Sequence, residues 1–254
     1  MDTSTFGTLK ILGLGRPDAE LHSFAYAGID ASKVFGLSVP SRLITLDIHT
    51  QNDYQRMRLY RALPYGQVRR FWFGNDTGVY WIDGYATELP YDEVGHEISS
   101  FEIPIFCPYP WFRRAGQHEL EIAADAAKTV HLTQSGDVPA GIRIYAQGTF
   151  NQLGALESFR LSNRISGGDY FEAKTDNRFV ASIPGIFRNL LLDTTPGADS
   201  MGLEGTFSAE FLSSVDMSAN LITVDPENGT DLVFTASSST CQFFACWYDT
   251  FTAI

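Results

Sequence analysis

The chain has 254 residues, of which 44% are hydrophobic and 13% aromatic, and a formal net charge of -12 at pH 7. This apolar content can fill one large β domain or two domains of ordinary size, and it excludes disorder over most of the length. Both halves of the sequence are acidic, which excludes the basic surface that nucleic-acid binders need for contact with phosphates.

The cysteines and the first residues indicate where the chain is made. Cys107, Cys241 and Cys246 cannot all pair, and no CxxC spacing suited to a zinc site occurs. The first residues lack the basic and apolar regions of a signal peptide, and no apolar run approaches the ~20 residues that span a bilayer. We therefore expect a soluble chain with reduced thiols, made in a cytoplasm and without a membrane partner.

A turn and a strand are the first predicted elements. Leu12-Gly13-Leu14-Gly15 leads into no helical pattern and lacks the third glycine of a dinucleotide-binding loop, so it predicts a turn. Ile44, Leu46 and Ile48 alternate with other residues, and this alternation is typical of a strand with one buried face.

A short helix is predicted next. Asn52 or Asp53 can cap its first turn, and Pro64 ends it. Its apolar side chains are expected to face inward: Tyr54, Met57, Leu59 and Leu63. Arg58 and Arg61 lie at positions i and i+3, so they are expected to share a face of the helix.

A hairpin and a stiff strand complete the first half. Residues 68–73 and 79–87 are predicted strands joined by Asn75-Asp76-Thr77-Gly78, because Asn and Gly tolerate the positive φ of a tight turn. The strand predicted at 97–106 and its exit share one apolar face, formed by Phe101, Ile103, Ile105 and Cys107. Two prolines then keep the chain extended, so this apolar stem is expected to lead from one packed unit to another.

The second half predicts many short strands separated by glycine, proline and asparagine turns. The predicted strands are 118–123, 129–133, 141–147, 157–166, 170–175, 178–182, 187–193, 206–212, 221–224, 232–235 and 242–248. This pattern is typical of a β-sandwich or jelly roll. We place the domain boundary near residue 127, which gives domains 1–127 and 128–254.

The candidate catalytic and metal-binding residues fall short of the patterns that their chemistry needs. An acidic cluster could hold a hard cation or a glycosidase carboxylate pair: Glu88, Asp92, Glu93, His96 and Glu97. Pro90 and Gly95 favour a solvated loop instead. No His-Glu-x-x-His or Gly-x-Ser-x-Gly spacing occurs, and Cys107 is expected to lie in the core. We therefore predict no catalytic residues, no metal and no cofactor.

The basic residues of this acidic chain concentrate in one stretch. They are Arg56, Arg58, Arg61, Arg69 and Arg70. A solvated face is one interpretation. The alternative hypothesis is a subunit interface, because planar guanidinium groups suit bidentate pairing with carboxylates on another copy of the chain. The acidic residues that could reach such a neighbour are Glu88, Asp92 and Glu93.

A series of short motifs follows one order along the chain. They are Arg42-Leu43-Ile44-Thr45-Leu46, Phe71-Trp72-Phe73, Tyr80-Trp81-Ile82-Asp83-Gly84, Cys107-Pro108-Tyr109-Pro110-Trp111-Phe112, Gly136-Asp137-Val138-Pro139-Ala140-Gly141-Ile142-Arg143-Ile144, Gly168-Asp169-Tyr170-Phe171 and Asp176-Asn177-Arg178. In this order the chain resembles the distal tail proteins of long-tailed, non-contractile phages (siphoviruses). The likeness spans nearly the whole chain and departs at residues 218–221 and 225–230.

The resemblance implies a fold and an architecture. The fold is mainly β, with an N-terminal β-sandwich-type ring domain that contains one short helix and a C-terminal galectin-like sandwich. It further implies a structural virion protein, not an enzyme, whose first domains form a closed ring, usually a hexamer, at the distal end of the tail tube. The second domains are expected to project outward, in a particle assembled in the host cytoplasm.

The resemblance also implies partners. They are other copies of the chain, the tail tube protein, a tail-associated or baseplate hub protein, and receptor-binding or tail-fibre components. DNA is expected to pass through an acidic lumen without specific binding, because like charges repel within the screening length of about 8–10 Å.

A second function stays open on the sequence. It is a carbohydrate-binding module for host attachment, in which the aromatic strand with Phe243, Phe244, Trp247 and Tyr248 would stack on sugars and not only pack a core. The second half has only His131 and Trp247 as histidine and tryptophan, so the constellation of sugar-binding galectins cannot form in its usual way. A glycosidase is a third class, disfavoured because no carboxylate pair stands out.

Overall fold

The computed structural model describes residues 7–25, 32–39, 41–50, 52–88, 99–122, 128–149, 158–163, 170–174, 186–194, 215–217, 222–236 and 242–254. The chain forms two compact units, Met1–Ala115 together with Phe251–Ile254, and Gly116–Thr250. Both consist mainly of antiparallel strands, which confirms the prediction of a mainly β fold. The domain limits 1–127 and 128–254 stay a prediction about independently folding parts.

The described part of the first unit consists of one helix and antiparallel strands. Its elements are β1 (Gly7–Leu12), β2 (Glu20–Ala25), β3 (Ser32–Ser38), β4 (Arg42–Thr50), α1 (Asp53–Ala62), β5 (Arg69–Asn75), β6 (Gly78–Ala86), β7 (Ser99–Cys107) and β8 (Phe112–Arg114). A seven-stranded sheet has the order β1-β4-β7-β6-β8, continued by the C-terminal strand β19 (Thr250–Phe251), and β5 pairs with β6. The strands β2 and β3 pair only with each other among the described strands.

The second unit contains two antiparallel sheets. Its strands are β9 (His118–Ile122), β10 (Lys128–Leu132), β11 (Ala140–Thr149), β12 (Ser158–Asn163), β13 (Tyr170–Lys174), β14 (Ile186–Asp193), β15 (Val215–Met217), β16 (Thr223–Val224), β17 (Thr230–Ala236) and β18 (Gln242–Trp247). One sheet has the order β10-β17-β12-β13-β15, and the other β14-β11-β18-β9 with β16 on β11. Phe234 of one sheet packs on Phe243 of the other, with ring centroids 4.5 Å apart.

Most predicted strands of the second half are confirmed within a few residues. The strands predicted at 178–182 and 206–212 lie outside the described residues. Several strands were not predicted: β1, β2, β3, β8, β15 and β19. These are short or lie in the first forty residues, where no alternation of apolar and polar residues singles out a strand.

The predicted start of α1 is confirmed in detail. The side chain of Asn52 accepts a hydrogen bond of 3.0 Å from the backbone N–H of Gln55, which satisfies one of the free donors of the first turn. The Leu63 N–H donates to the carbonyl of Leu59, and the helix ends before Pro64. The helix follows β4 directly, so its inner face closes the core built on Ile44, Leu46 and Ile48.

The predicted inner face of α1 is half wrong. Leu59 and Leu63 are buried as expected, whereas Tyr54 and Met57 are 71% and 50% exposed. The cause is the helical period, because residues at i, i+3 and i+4 share a face. Leu59 and Leu63 therefore share their face with Arg56, whose side chain is largely buried, while Tyr54 and Met57 turn outward.

The hairpin and the following strand match the predictions. The Asn75 side chain accepts hydrogen bonds from the backbone N–H of Thr77 (2.9 Å) and of Gly78 (3.1 Å), and Gly78 has a φ of +153°. On β7, the predicted face is buried at Ile103, Ile105 and Cys107. The side chain of Phe101 lies outside the described residues.

Candidate assembly surfaces

The first unit presents an exposed face of helix α1. We define this helix face by four residues, Tyr54, Met57, Arg58 and Arg61, all of which are exposed. The Arg58 guanidinium lies 5.9 Å from the centroid of the Tyr54 ring. Neither Arg58 nor Arg61 forms an ion pair within the described residues. The prediction that these two arginines share a face of the helix is confirmed, and in the single chain that face is exposed.

The other predicted arginines have partners of their own. Arg56 forms an ion pair with Asp53 in the first turn of its own helix. Arg69 is exposed and donates to the side-chain oxygen of Gln67 at 3.1 Å. Arg70 makes two hydrogen bonds to the Asp83 carboxylate, of 2.9 and 3.1 Å. The charge of Arg70 is therefore already neutralised within the chain.

Arg70 also belongs to a stack of arginines and aromatic rings. Its guanidinium lies 3.7 Å from the centroid of the Trp81 ring, and that of Arg113 lies 4.7 Å from the same ring and 4.5 Å from Tyr109. Trp72, the cross-strand neighbour of Trp81, is 51% exposed. Tryptophan, tyrosine and arginine are the residue types that dominate binding energy at protein interfaces.

A second exposed apolar set lies on the outer side of β4, β6 and β7. Leu43 and Phe106 are cross-strand partners and are 56% and 39% exposed. Tyr85 stands opposite Phe106 on β6. Contiguous exposed apolar surface of this kind marks interaction sites in soluble proteins. The sequence signal was available, because large apolar residues occupy the outward positions of strands whose inward positions are already apolar.

The structure does not join the predicted acidic residues to the predicted arginines. Glu88 is exposed, and the described residues show no ion pair between it and any of the five arginines. Asp92 and Glu93 lie outside the described residues, as do His96 and Glu97. The assignment of these residues to a subunit interface stays a prediction.

A buried arginine fixes the start of β4 to two distant segments. Arg42 donates to the carbonyl of Gly13 at 2.9 Å and to that of Thr252, and its guanidinium lies 4.4 Å from the centroid of the Phe112 ring. Burial lowers the pKa of Arg42 to about 10. Burial also raises the pKa of the neighbouring Cys107 thiol to about 12. The side chain is fully buried, which confirms the prediction that Cys107 is a core residue.

One cluster in the second unit has the composition of a catalytic triad but another geometry. Asp249 accepts hydrogen bonds from Ser135 Oγ (2.5 Å) and from the Ser135 N–H (3.0 Å), and its other contact is His118 Nε2 at 2.9 Å. The carboxylate thus stands between the hydroxyl and the imidazole, so His118 is not placed to take the proton of Ser135. Burial alone would raise the pKa of Asp249, but the hydrogen bonds from Ser135 and His118 outweigh it and lower that pKa.

In the aromatic stretch 243–248, Phe243 and Trp247 support core packing over a sugar platform, while Phe244 and Tyr248 are half-buried. Phe243 and Trp247 are buried, and the Trp247 indole donates to the Thr133 carbonyl at 2.9 Å. The His118 ring stacks on Trp247, with centroids 5.1 Å apart and planes at 14°. The indole therefore has no open face for a sugar.

The described residues contain neither a metal site nor a membrane-spanning helix. No group of three His, Cys, Asp or Glu side chains there is arranged to hold a metal ion. Within the same residues, no helix has the length and apolar character that crossing a bilayer requires.

The comparisons with known proteins rest on structure. No protein-family model matches the chain, and no curated protein matches its sequence. The structure is similar to the SPP1 Dit (gp 19.1) protein, described as a paradigm of the hub adsorption apparatus in phages that infect Gram-positive bacteria. The two share 13% sequence identity at a TM-score of 0.61, over 98% of this chain and 95% of that one.

Weaker similarity extends to chains of the phage P2 baseplate. One, from the baseplate in its activated conformation with Ca, has a TM-score of 0.49 and 11% identity, over 97% of this chain and 92% of that one. Another, from the activated baseplate with Sr, has a TM-score of 0.48 and 10% identity over the same shares, 97% and 92%. The fold that this chain shares along nearly its whole length is that of the SPP1 Dit protein.

Proposed function

We propose that this chain is a structural protein of a long, non-contractile phage tail. It forms a ring, a hexamer by resemblance, at the distal end of the tail tube and connects the tube to baseplate, tail-fibre or receptor-binding components. The observation that carries the proposal is the fold shared with the SPP1 Dit protein over 98% of the chain. The order of the sequence motifs supports the proposal independently. The second unit is the proposed galectin-like sandwich, which projects outward from the ring.

The surfaces of the first unit support assembly. A ring of identical subunits is held by a heterologous interface, which needs two different patches on each copy. The first unit offers several patches that differ in composition. They are the helix face of α1, the stack of arginines on Trp81 with its exposed neighbour Trp72, and the apolar pair Leu43 and Phe106. A stable interface buries on the order of 1,000 Å² or more in total, which calls for contiguous sets of this kind and not single residues.

The basic helix face carries the predicted ion pairs of the ring. Arg58 and Arg61 are exposed and form no ion pair within the described residues. In an acidic chain they are the cations to which a neighbouring copy can bring carboxylates, and the proposed partners are Glu88, Asp92 and Glu93. Arg70 contributes through its stack on Trp81 and not as a spare charge.

The test is the mass of the assembled protein. We expect the purified chain to form closed rings, seen by negative-stain imaging and by light scattering coupled to size exclusion. Arg58→Glu with Arg61→Glu should weaken assembly by about tenfold or more, equivalent to about 1.4 kcal/mol. The matched control is Arg160→Glu, an exposed arginine of the second unit, which should leave the mass unchanged. A chain that stays monomeric, alone and with tail-tube protein, would contradict the proposed function.

A further inference from the structure

The first unit contains an apolar groove that its described residues do not fill. The groove has a volume of about 250 Å³ and lies between β1, β4 and β5. Its walls come from Ile11, Leu46, Ile48 and Phe73, and Trp72 and Asn75 also line it. Leu46 and Ile48 are buried, whereas Trp72 and Asn75 are exposed, so the groove runs from the core to the surface.

We propose that this groove binds the helix face of α1 from a neighbouring copy of the chain. The inference rests on the proposed function and deepens it by naming the two patches of the ring interface. Tyr54 and Met57 lie at positions i and i+3 and are both exposed, so they project from one side of the helix. Docking of an amphipathic helix into an apolar groove is a common mode of recognition, and it uses this spacing of anchors.

The charges of the two surfaces are complementary. Arg58 and Arg61 flank the apolar anchors on the helix face. At the groove, Asn75 begins the β5–β6 turn, and Asp76 follows it as an exposed residue. A helix seated with Tyr54 and Met57 in the groove therefore places Arg58 and Arg61 near this turn, where Asp76 offers a carboxylate and Arg114 is already engaged with the Thr77 carbonyl at 3.1 Å. Arg70, elsewhere on β5, is neutralised by Asp83 and does not oppose this approach.

The geometry of assembly favours a second copy over other occupants. The helix face and the groove are different surfaces of the same unit. A linear series of copies joined through them therefore ends in one free groove and one free helix face. Only closure into a ring fills every groove and covers every helix face, which is the defining property of a heterologous interface that closes. Burial of Tyr54 and Met57 in the groove removes apolar surface from water, which stabilises the assembly and does not occur in the single chain.

The experiment is disulfide trapping in the full chain. Met57→Cys and Asn75→Cys are combined in one variant, which is oxidised and analysed on a non-reducing gel. The native Cys107 and Cys246 are buried, and the oxidised wild-type chain gives the background. We expect a ladder of covalent multimers up to the full ring from the double variant, and no ladder from either single variant.

The outcomes separate the inference from the proposed function. Rings without a ladder would overturn the groove assignment and leave the proposed function standing, whereas an absence of oligomers in the wild type would overturn both. Dimers from Met57→Cys alone would show helix-to-helix contact and overturn the groove assignment.

An independent readout is the concentration at which rings dissociate. Tyr54→Ala with Met57→Ala should raise it at least tenfold without lowering the midpoint of thermal unfolding. Tyr65→Ala, at an exposed tyrosine beyond the helix, should leave the dissociation unchanged. An equal effect of both variants would overturn the groove assignment.

Discussion

The two units differ in what they leave at their surfaces. Every large apolar side chain that is exposed in the described part of the chain belongs to the first unit: Leu12, Leu43, Tyr54, Met57, Tyr65, Val68, Trp72, Val79 and Phe106. The described part of the second unit exposes none. Scattered exposed apolar residues are ordinary, but neighbouring sets such as Leu43 with Phe106 mark surfaces that a partner covers.

Buried polar groups in the described part of the second unit find their hydrogen-bond partners within the chain. Thr194 Oγ1 accepts from the Ile142 N–H at 2.8 Å and donates to the Ile222 carbonyl at 2.6 Å. The buried Asp249 is held by Ser135 and His118. Because buried polar groups cost free energy unless they are hydrogen-bonded, these groups of the second unit need no partner outside the chain. The contrast in exposed apolar residues supports the proposal that the first unit is the one that assembles.

The largest expected effect tests whether the second unit is self-contained. Trp247→Ala removes a buried indole that packs under His118 and bonds to Thr133. It should lower the free energy of unfolding by about 3–5 kcal/mol, measured by urea denaturation followed by circular dichroism. Trp247→Phe keeps the ring and loses the hydrogen bond, so it should cost less, about 1 kcal/mol for the bond. A loss below about 1 kcal/mol in Trp247→Ala would show that this strand is not part of the core.

Acid should weaken the same unit through Asp249. Its pKa is lower in the folded chain than the ordinary value, so its contribution is present above that ordinary value, about 3.9, and is lost as the pH falls through the folded value. Asp249→Asn should lower stability at pH 7 by about 1–2 kcal/mol and flatten the pH dependence below about pH 4. The control is Asp231→Asn, since Asp231 pairs with His131 at a more exposed site. Equal pH profiles for the wild type and Asp249→Asn would refute this role.

The sequence predicted those features that depend on residues close to one another in the chain. The alternation in β4, the Asn52 cap and the Asn75 turn are set by residues a few positions apart, and these predictions were confirmed. The expectation that Tyr54 and Met57 face inward was wrong, because the helical period puts Arg56 on the inner face with Leu59 and Leu63.

Contacts between distant segments were beyond the sequence pattern. Arg42 bonds to Gly13 and Thr252, and the last residues return to the first unit, which no local pattern indicates. Among the candidate residues, Arg70 was singled out by composition, but its partners Asp83 and Trp81 follow from the pairing of β5 with β6. Strand register decides which charges meet, and a single sequence does not give it.

The smallest effect on folding is expected at Trp72, and there the comparison of the two units is sharpest. The side chain is half exposed and packs on Trp81 with ring centroids 6.2 Å apart and planes at 49°. Trp72→Ala should therefore change the free energy of unfolding by less than about 1 kcal/mol, although its aromatic area resembles that of Trp247. If partners cover the first unit, the same variant should dissociate its oligomers at a concentration at least about tenfold higher.

Unfolding and oligomer mass are measured on Trp72→Ala and Trp247→Phe in parallel. The comparison predicts different profiles: Trp72→Ala weakens assembly and keeps its folding stability, whereas Trp247→Phe keeps its oligomer mass and loses about 1 kcal/mol of folding stability. The opposite result would be a Trp72→Ala variant with a clearly reduced free energy of unfolding and an unchanged oligomer mass. It would mean that the exposure of a side chain in the single chain does not identify a subunit interface. In that case the exposed apolar residues of the first unit would need another explanation than assembly.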